Sequence, residues 1–592
     1  MSDKKCLCLF FILFIAVGFY VMGTELLGLK NSNSLEIEYT VSVEGKNAKY
    51  FKIRARISGI KTEFIQLRMT GNYGRVKRLE ELIPRIVIFS RGKEITSIEK
   101  ISEFLWNIPL GGYSEIEVDY EINSQFAYSN FNLVRLPYRD EHHLYFPSAS
   151  ALIFPAQSYL EENEIEIQGI KIKFLLPRGW KAATSWGIDD KVITVLPPSL
   201  DSLSTGLIGL GPYRTYSFKV QDMLVETAFL GSSQVPDEEF NTVITKALES
   251  GCRLFGFFPF SRFFFLIHFI FDRPGQGSGN FLGWSSCLNY SRRFNGSDWI
   301  DKKTHIFHEI FHLWNGTEGP PLSRAQNDYS LIWFSEGVTR FYQYKNIFNS
   351  GLVSEQQFLD FIAEEFESAY HNSYRDEDIY RISEKYYTDR EAFELIYSKG
   401  CCLAFVLDLR MKTRSGGKKS FDEVMRVLLE RNDYRESGLP FTRDDLEVVL
   451  LDVLGEKGFS EYQMLCGRKF VSLFKNILSE SGFILTRKKG RRLYFGVLNF
   501  GPPKGPVQVL LVDRESPAYS AGLRAGDILL KIDGQEINSV GSIRRLLEGI
   551  SEDQYVQLEI ERKGKRLKIM TLWPSYACEF EIKRKEKGEG NK

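Results

Sequence analysis

Apolar and polar positions alternate along the first third of the chain. The segments "SLEIEYTVSV" (34–43), "KYFKIRARIS" (49–58), "EFIQLRMTG" (63–71), "SEIEVDYEI" (114–122) and "IEIQGIKIKFLL" (165–176) each give a strand one apolar and one polar face. Turn clusters such as "SGIK" and "GNYG" separate them. The pattern predicts a β-sandwich-like domain over 35–218. It breaks near Val220. "SRFFFLIHFIF" (261–271) is a dense apolar run, interrupted by Arg262 and His268 and too short for a membrane span, so it predicts a buried strand. Glycine-rich "RPGQGSGNFLGWSS" follows and turns strand-like.

From Ser354 to Ser479 the period becomes helical. "SEQQFLDFIAEEFESAY" starts with Ser354 as its N-cap, and "EAFELIYSKGCCLAFVLDLRMK" and "SFDEVMRVLLERN" read as further helices. This marks a helical domain over 351–485, after a mixed domain over 220–350. "TRKKGRR" (486–492) reads as a basic linker. Short strands and one helix, "VGSIRRLLEGI" (540–550), mark a small unit over 491–576. The charged tail 577–592 predicts disorder. The whole reads as a multidomain α+β chain.

Composition changes this picture little. Of 592 residues, 76 are basic and 76 acidic, which favours neither nucleic acid nor a polyanion as partner. The eight cysteines form no C-x-x-C pair; the six outside the leader read as small core residues. The N-terminus matters more. Lys4 and Lys5 precede an apolar run from Cys6 to Gly23, so residues 1–24 read as a signal peptide or membrane anchor. Either places the remaining chain outside the cytoplasm, secreted or held at a membrane.

The chain has seven histidines, and three fall at His305, His308 and His312. His308-Glu309-x-x-His312 on a helix puts two imidazoles one turn apart on one face, where they can grip a zinc ion. Ile306, Phe307, Ile310, Phe311 and Trp314 bury the other face. Glu309 then faces a metal-held water without ligating it, as a general base would. A catalytic zinc needs a third protein ligand. Glu336 in "WFSEGVTRFY" is the candidate. His305 could share the face of His308 as a substrate-side group, but a solvated helix-start residue is the stronger reading; Asn315 reads as a structural cap.

"HEIFHLWNG", "WFSEGVTRFY" and "IYSKGCCLAFVLDLRMK" together resemble the glycyl aminopeptidase family of gluzincin zinc metallopeptidases. Its patterns H-E-x-x-H-x-W-N, W-F-x-E-G-x-T and Y-x-K-G stand here at 308–315, 333–339 and 397–400. The resemblance implies an N-terminal β domain, a thermolysin-like catalytic domain, a helical domain and a PDZ domain. It implies one zinc ion held by His308, His312 and Glu336, and a water activated by Glu309. Tyr397 takes the place of the tyrosine that hydrogen-bonds the oxyanion, with Tyr386 and Tyr387 as neighbouring rivals. Peptides or proteins are the implied substrates.

One family feature is missing. The edge strand before the zinc helix usually carries a Gly-Gly-x-Glu-His-like motif whose acid holds the substrate's free amine. The corresponding stretch is "GSGNFLGWSS" (277–286), with Phe281 and Leu282 where the Glu and His belong. A charged amine buried without a partner is costly. Glu318, Asp328 or Glu364 could substitute; otherwise the chain is an endopeptidase or takes blocked substrates.

In the last unit, "SPAYSAGLRAGDILLKIDGQEI" resembles a PDZ core, and Tyr494, Phe495, Gly496 and Val497 its carboxylate-binding loop. That implies capture of a peptide C-terminus by strand addition. The sequence therefore supports an extracytoplasmic zinc peptidase, aminopeptidase-like, against a rival PDZ scaffold with a silent peptidase domain.

Overall fold

The computed structural model describes residues 33–585, apart from 44–48, 74–75, 125–134, 189–190, 272–276, 283, 292–298, 318–319, 326, 495–496, 502–505, 513–515, 540–541, 544–545, 547–553 and 574. The leader at 1–24, Phe495, Gly496, most of the expected 540–550 helix and the tail from 586 onward lie outside the described residues. The chain divides after Thr215 into two compact units.

The first unit is β-rich, as the alternation requires. In its seven-stranded sheet, Asn33–Ser42 lies between Tyr50–Ser58, antiparallel, and Ile165–Leu175, parallel. Leu35, Ile37, Tyr39 and Val41 point inward with Ile53, Ala55 and Ile57. The outward face carries cross-strand ion pairs, Arg54–Asp119 and Arg56–Glu115. Tyr39 donates to the Ile153 carbonyl at 2.8 Å, and Tyr120 accepts from the Ile153 amide at 3.1 Å. Two buried phenols thus find partners in one crossing segment. A five-stranded, a four-stranded and a two-stranded sheet complete the described part of this unit.

The second unit opens one strand earlier than expected. Arg214–Val220 (β1) was expected to close the first domain. Instead it flanks Met223–Leu230 (β2), followed by Arg262–Phe271 (β3), Ser285–Ser291 (β5) and Gly277–Leu282 (β4), in that order across a five-stranded sheet. β2, β3 and β5 are parallel, and β4 runs antiparallel along the outer edge of β5. Phe263 to Ile267 are fully buried on both faces, which explains a strand with no polar alternation. One sheet face packs on Asp237–Phe255 (α1) and Trp299–Phe311 (α2), with Phe240, Ile244, Leu248, Ile306 and Ile310 in the shared core. A Cβ on Gly251 would lie 2.3 Å from the Trp314 ring, so a glycine lets the indole lie flat on α1.

Helices build the next layer. Thr339–Asn349 (α3) and Glu355–His371 (α4) pack with the long Arg390–Ser415 (α5) around one core. Ser354 caps α4 in a reciprocal box with Gln357, as its sequence predicts.

Two expectations at the C-terminus are corrected. The basic segment is not a linker, and the charged tail is ordered through Arg584. Phe483–Tyr494 (β6) and Ser575–Arg584 (β7) pair antiparallel. Phe580 and Ile582 are buried in the helical core, where Phe580 packs on Phe366 and Tyr370 of α4. High charge disguised a strand: in "EFEIKR" the apolar positions alternate, and they meet an apolar helix face. Between these strands, the PDZ sheet has Val497–Gly501 at its edge. Ser516 caps a helical turn that opens with Pro517, and the buried Asp527 takes both arms of Arg562 at 2.6 and 2.7 Å.

Candidate active site and metal centre

Helix α2 presents His308 and Glu309 on one face, and His312 follows in the turn beyond its end. All three are buried. Each imidazole is fixed through Nδ1. His308 Nδ1 donates to Gln343 Oε1 at 2.9 Å, and His312 Nδ1 donates to the Asn315 carbonyl at 2.8 Å. A carbonyl only accepts, so Nδ1 carries a proton, and Nε2 offers its lone pair whenever the ring is neutral. The two Nε2 atoms face each other at 3.2 Å. Glu336 Oε2 lies 3.4 Å from one and 3.6 Å from the other.

Three lone-pair donors converging in this way repel unless a cation or a proton lies between them. Ligands at about 2.0–2.1 Å from a tetrahedral zinc stand about 3.3–3.4 Å apart. The observed 3.2, 3.4 and 3.6 Å bracket that spacing. The donor set therefore fits the metal. Among the described residues, His308, His312 and Glu336 form the grouping that could hold an ion.

The electrostatics agree. Burial lowers the His308 pKa despite Glu336. For His312 burial acts the same way, but Glu336 and Glu309 outweigh it and push it up to about 9. Burial would raise Glu336, yet His312 and His308 hold it well below the usual carboxylate range. Without a metal, a proton takes the cation's place between His312 and Glu336.

Glu309 is a buried carboxylate kept ionised. Burial alone would raise it, but His305 and the two other histidines bring it below its ordinary value. His305 Nε2 lies 3.5 Å from Glu309 Oε1. The expectation of a solvated His305 is corrected: one turn before Glu309, it shares the site face. Tyr290 of β5 packs edge-on against the His305 ring.

Glu336 sits in a π-helical turn, Trp333–Val338, a local widening often found at functional sites. Gly337 follows, and it meets Gly400 of α5 backbone to backbone. A Cβ on Gly337 would lie 2.6 Å from the Gly400 Cα. This crossing delivers Tyr397, one turn before Gly400, to the site. Its ring lies 5.9 Å from that of His308, and its hydroxyl meets Tyr386 at 3.0 Å. Burial first and then Glu336 hold the Tyr397 phenol well above its ordinary pKa, so it stays protonated as a donor. Tyr386 is thus the rival that touches Tyr397, while Tyr387 packs edge-on against Tyr329.

Asn315 does more than cap. Its Nδ2 donates to the Phe334 carbonyl and the Thr339 hydroxyl, each at 3.1 Å, tying the histidine turn to the Glu336 turn. Gln343 escaped the sequence reading. Its one signal is a position seven residues after Glu336, two turns along the same helix.

Beside the site, β4 holds the outer sheet edge, with Phe281 opposite Ser286 and Leu282 opposite Ser285. Of the substitute acids, Asp328 accepts from the Ser330 amide and hydroxyl as a cap. Partial burial and the neighbouring Glu365 and Asp301 push Glu364 up to about 7. Glu318 lies outside the described residues. In the PDZ loop, Tyr494 ends β6 and Val497 is buried in the PDZ core.

Residues 303–400 match the M61 glycyl aminopeptidase family, 38–202 the peptidase M61 N-terminal domain and 486–572 a PDZ domain. The fold is similar to that of an aminopeptidase N family protein from Idiomarina loihiensis, with TM-score 0.75, 18% identity, and 93% of this chain and 98% of that chain covered. An M1 zinc metallopeptidase from Deinococcus radiodurans aligns with TM-score 0.46 and 14% identity over 74% of this chain and 93% of that one. A curated relative, a probable periplasmic DegP-like serine endoprotease from Halomonas elongata, is 33% identical over 75 residues. That match spans 12% of this chain and 16% of the relative.

Proposed function

We propose that this chain, whose residues 303–400 and 38–202 match the M61 glycyl aminopeptidase family and its N-terminal domain, is a zinc metallopeptidase that hydrolyses peptide bonds at one zinc ion held by His308, His312 and Glu336. The observation that carries this reading is the convergence of three fixed lone-pair donors at tetrahedral ligand spacing. When bound, zinc lowers the pKa of a coordinated water to about 7 and polarises a carbonyl. The chain's own groups supply the rest. Glu309 takes a proton from the attacking water and returns it to the departing amine. Tyr397 donates to the oxygen on which negative charge develops. Asn315 and Gln343 hold the two imidazoles so that each Nε2 faces inward.

Among the described residues the outer edge of β4 pairs with no further strand, and it offers main-chain groups along which an extended peptide can lie. That edge carries no carboxylate to select a charged amine. This favours a second reading, in which blocked or internal segments serve as substrates as readily as free N-termini. A silent scaffold has no need of fixed imidazole tautomers, an ionised Glu309 and a protonated Tyr397 in one place. The position of Val497–Gly501 at the edge of the PDZ sheet supports capture of a peptide C-terminus. The leader at 1–24 supports a location outside the cytoplasm. Among the described residues, no helix is long and apolar enough to cross a membrane.

The test is mass spectrometry of peptide mixtures with free and acetylated N-termini, treated with zinc-loaded protein and its Glu309→Gln variant. Cleavage by the former, and at least ~10³-fold slower cleavage by the latter with zinc retained, is expected. Equal rates would sink the role of Glu309. Loss of free peptides alone would restore amine selection.

A further inference from the structure

Arg340 follows Glu336 by four residues, one helical turn further along. Its guanidinium lies 5.6 Å from the centre of the Tyr397 ring and 5.9 Å from that of Tyr344. Its Nε donates to Glu365 Oε1 at 2.7 Å, and the Tyr344 hydroxyl donates to the same oxygen at 2.7 Å. Glu365 is buried, whereas the Arg340 side chain is 36% exposed. Neither Nη atom of Arg340 hydrogen-bonds any described residue.

That arrangement differs from the two-pronged arginine pairs of this chain, and from the one-pronged Arg443–Glu447 pair in that its carboxylate is buried. Arg54 with Asp119, Arg56 with Glu115 and Arg562 with Asp527 each use Nε and Nη2 on two carboxylate oxygens. A guanidinium fork serves a structural pair best when both prongs engage. At Arg340, Glu365 takes the stem-side nitrogen and fixes the side chain through a buried carboxylate. The outer edge, with its four N–H groups, is left toward solvent beside Tyr397. A fixed, half-solvated guanidinium edge matches the planar, bidentate geometry of a carboxylate.

We propose that Arg340 is a specificity-determining residue that binds a carboxylate of the substrate close to the scissile bond. This rests on the peptidase reading above. It also fits the recognition chemistry around the site, where the amine-binding acid is missing from β4 and a cation stands beside Tyr397. The carboxylate comes from an aspartate or glutamate side chain or from the peptide's C-terminus, which are chemically alike to a guanidinium.

The experiment compares blocked pentapeptides that differ by one group. One pair has Asp against Asn, and the other a free C-terminus against its amide. For zinc-loaded wild type, kcat/KM is expected to be at least tenfold higher for the carboxylate member of at least one pair. The pair that responds identifies the source. Arg340→Gln should remove that preference and change the neutral members by less than about twofold, and Arg340→Lys should restore part of it. Tyr344→Phe, which also removes a partner of Glu365, should leave the preference intact. An equal loss on charged and neutral peptides would make Arg340 structural and overturn the proposal, as would no preference in wild type.

A binding measurement separates this from failure of the peptidase reading. The same pairs are titrated calorimetrically into Glu309→Gln protein, with and without Arg340→Gln, which needs no turnover. A tenfold tighter carboxylate member that loses its advantage with Arg340→Gln upholds the proposal even if no peptide is cleaved. Equal affinities overturn it.

Discussion

At the scale of single residues, the site is a question of where protons sit. His312 carries a proton in the metal-free chain because Glu336 and Glu309 overcome its burial, with a pKa of about 9 against an ordinary 6.5. Zinc must displace that proton, so binding releases it at any pH below about 9. The apparent zinc affinity is therefore expected to rise by up to about tenfold per pH unit between pH 6.5 and 9, then level off. Competition with a chelator across that range measures it, and a flat profile would mean that His312 is already neutral. Gln343 is the companion case. Gln343→Leu keeps the volume but leaves His308 Nδ1 without its acceptor. A loss of about 10–100-fold in zinc affinity is expected, with the fold intact. Unchanged affinity would show that the imidazole is held by packing alone. The donors themselves were legible because each lies in a short motif with a fixed helical spacing. Gln343 was not, and His305 was set below a solvated reading, because a glutamine or histidine on an amphipathic helix has many bland explanations. Only the placement of Glu309 and His308 against them selects among these.

At the scale of elements, the site is assembled by a glycine crossing. The π-turn at Trp333–Val338 and helix α5 approach until Gly337 and Gly400 touch. Any side chain there would part the two elements that carry Glu336 and Tyr397. A Cβ on Gly400 would lie 2.9 Å from both the Trp333 carbonyl oxygen and the Gly337 Cα. Gly400→Ala is expected to cost about 1–3 kcal/mol by overpacking and to weaken zinc binding as Glu336 moves. Chemical denaturation and chelator competition, run on the same protein, would report the two effects. Wild-type values in both would mean that the crossing has slack. The sequence displayed both glycines inside its motifs, E-G and Y-x-K-G, but not their contact. Two helices separated by sixty residues announce their faces, not the point at which they cross. The edge strand was placed at 277–286 through the family resemblance; β4 occupies only Gly277–Leu282 of that stretch, and Ser285 already begins β5.

At the scale of the whole molecule, the C-terminal strand changes what the PDZ unit is. It is not a module on a loose basic linker. The chain leaves the helical core along β6, builds the PDZ sheet and returns along β7, where Phe580 and Ile582 enter the core against α4. Further ties fasten the return: Arg584 pairs with Glu355, the Phe580 amide donates to Glu367, and Gln356 donates to the Ile582 carbonyl. Composition hid this, because a run of Lys, Arg and Glu is usually a solvated tail, and only the helix face opposite gives the alternate apolar residues a destination. The consequence is that Ser575–Arg584 is part of the peptidase unit's stability. Ending the chain before Ser575 removes Phe580, whose truncation alone is worth about 3–5 kcal/mol in a packed core, and opens the surface of Phe366 and Tyr370 to water. The truncated protein is expected to melt at least ~5 °C lower, with hydrogen exchange rising first in α4. The PDZ core around Val509, Leu529 and Leu558 should keep its protection. A truncation that leaves the melting temperature and α4 protection unchanged would return the strand to the role of a dispensable tail.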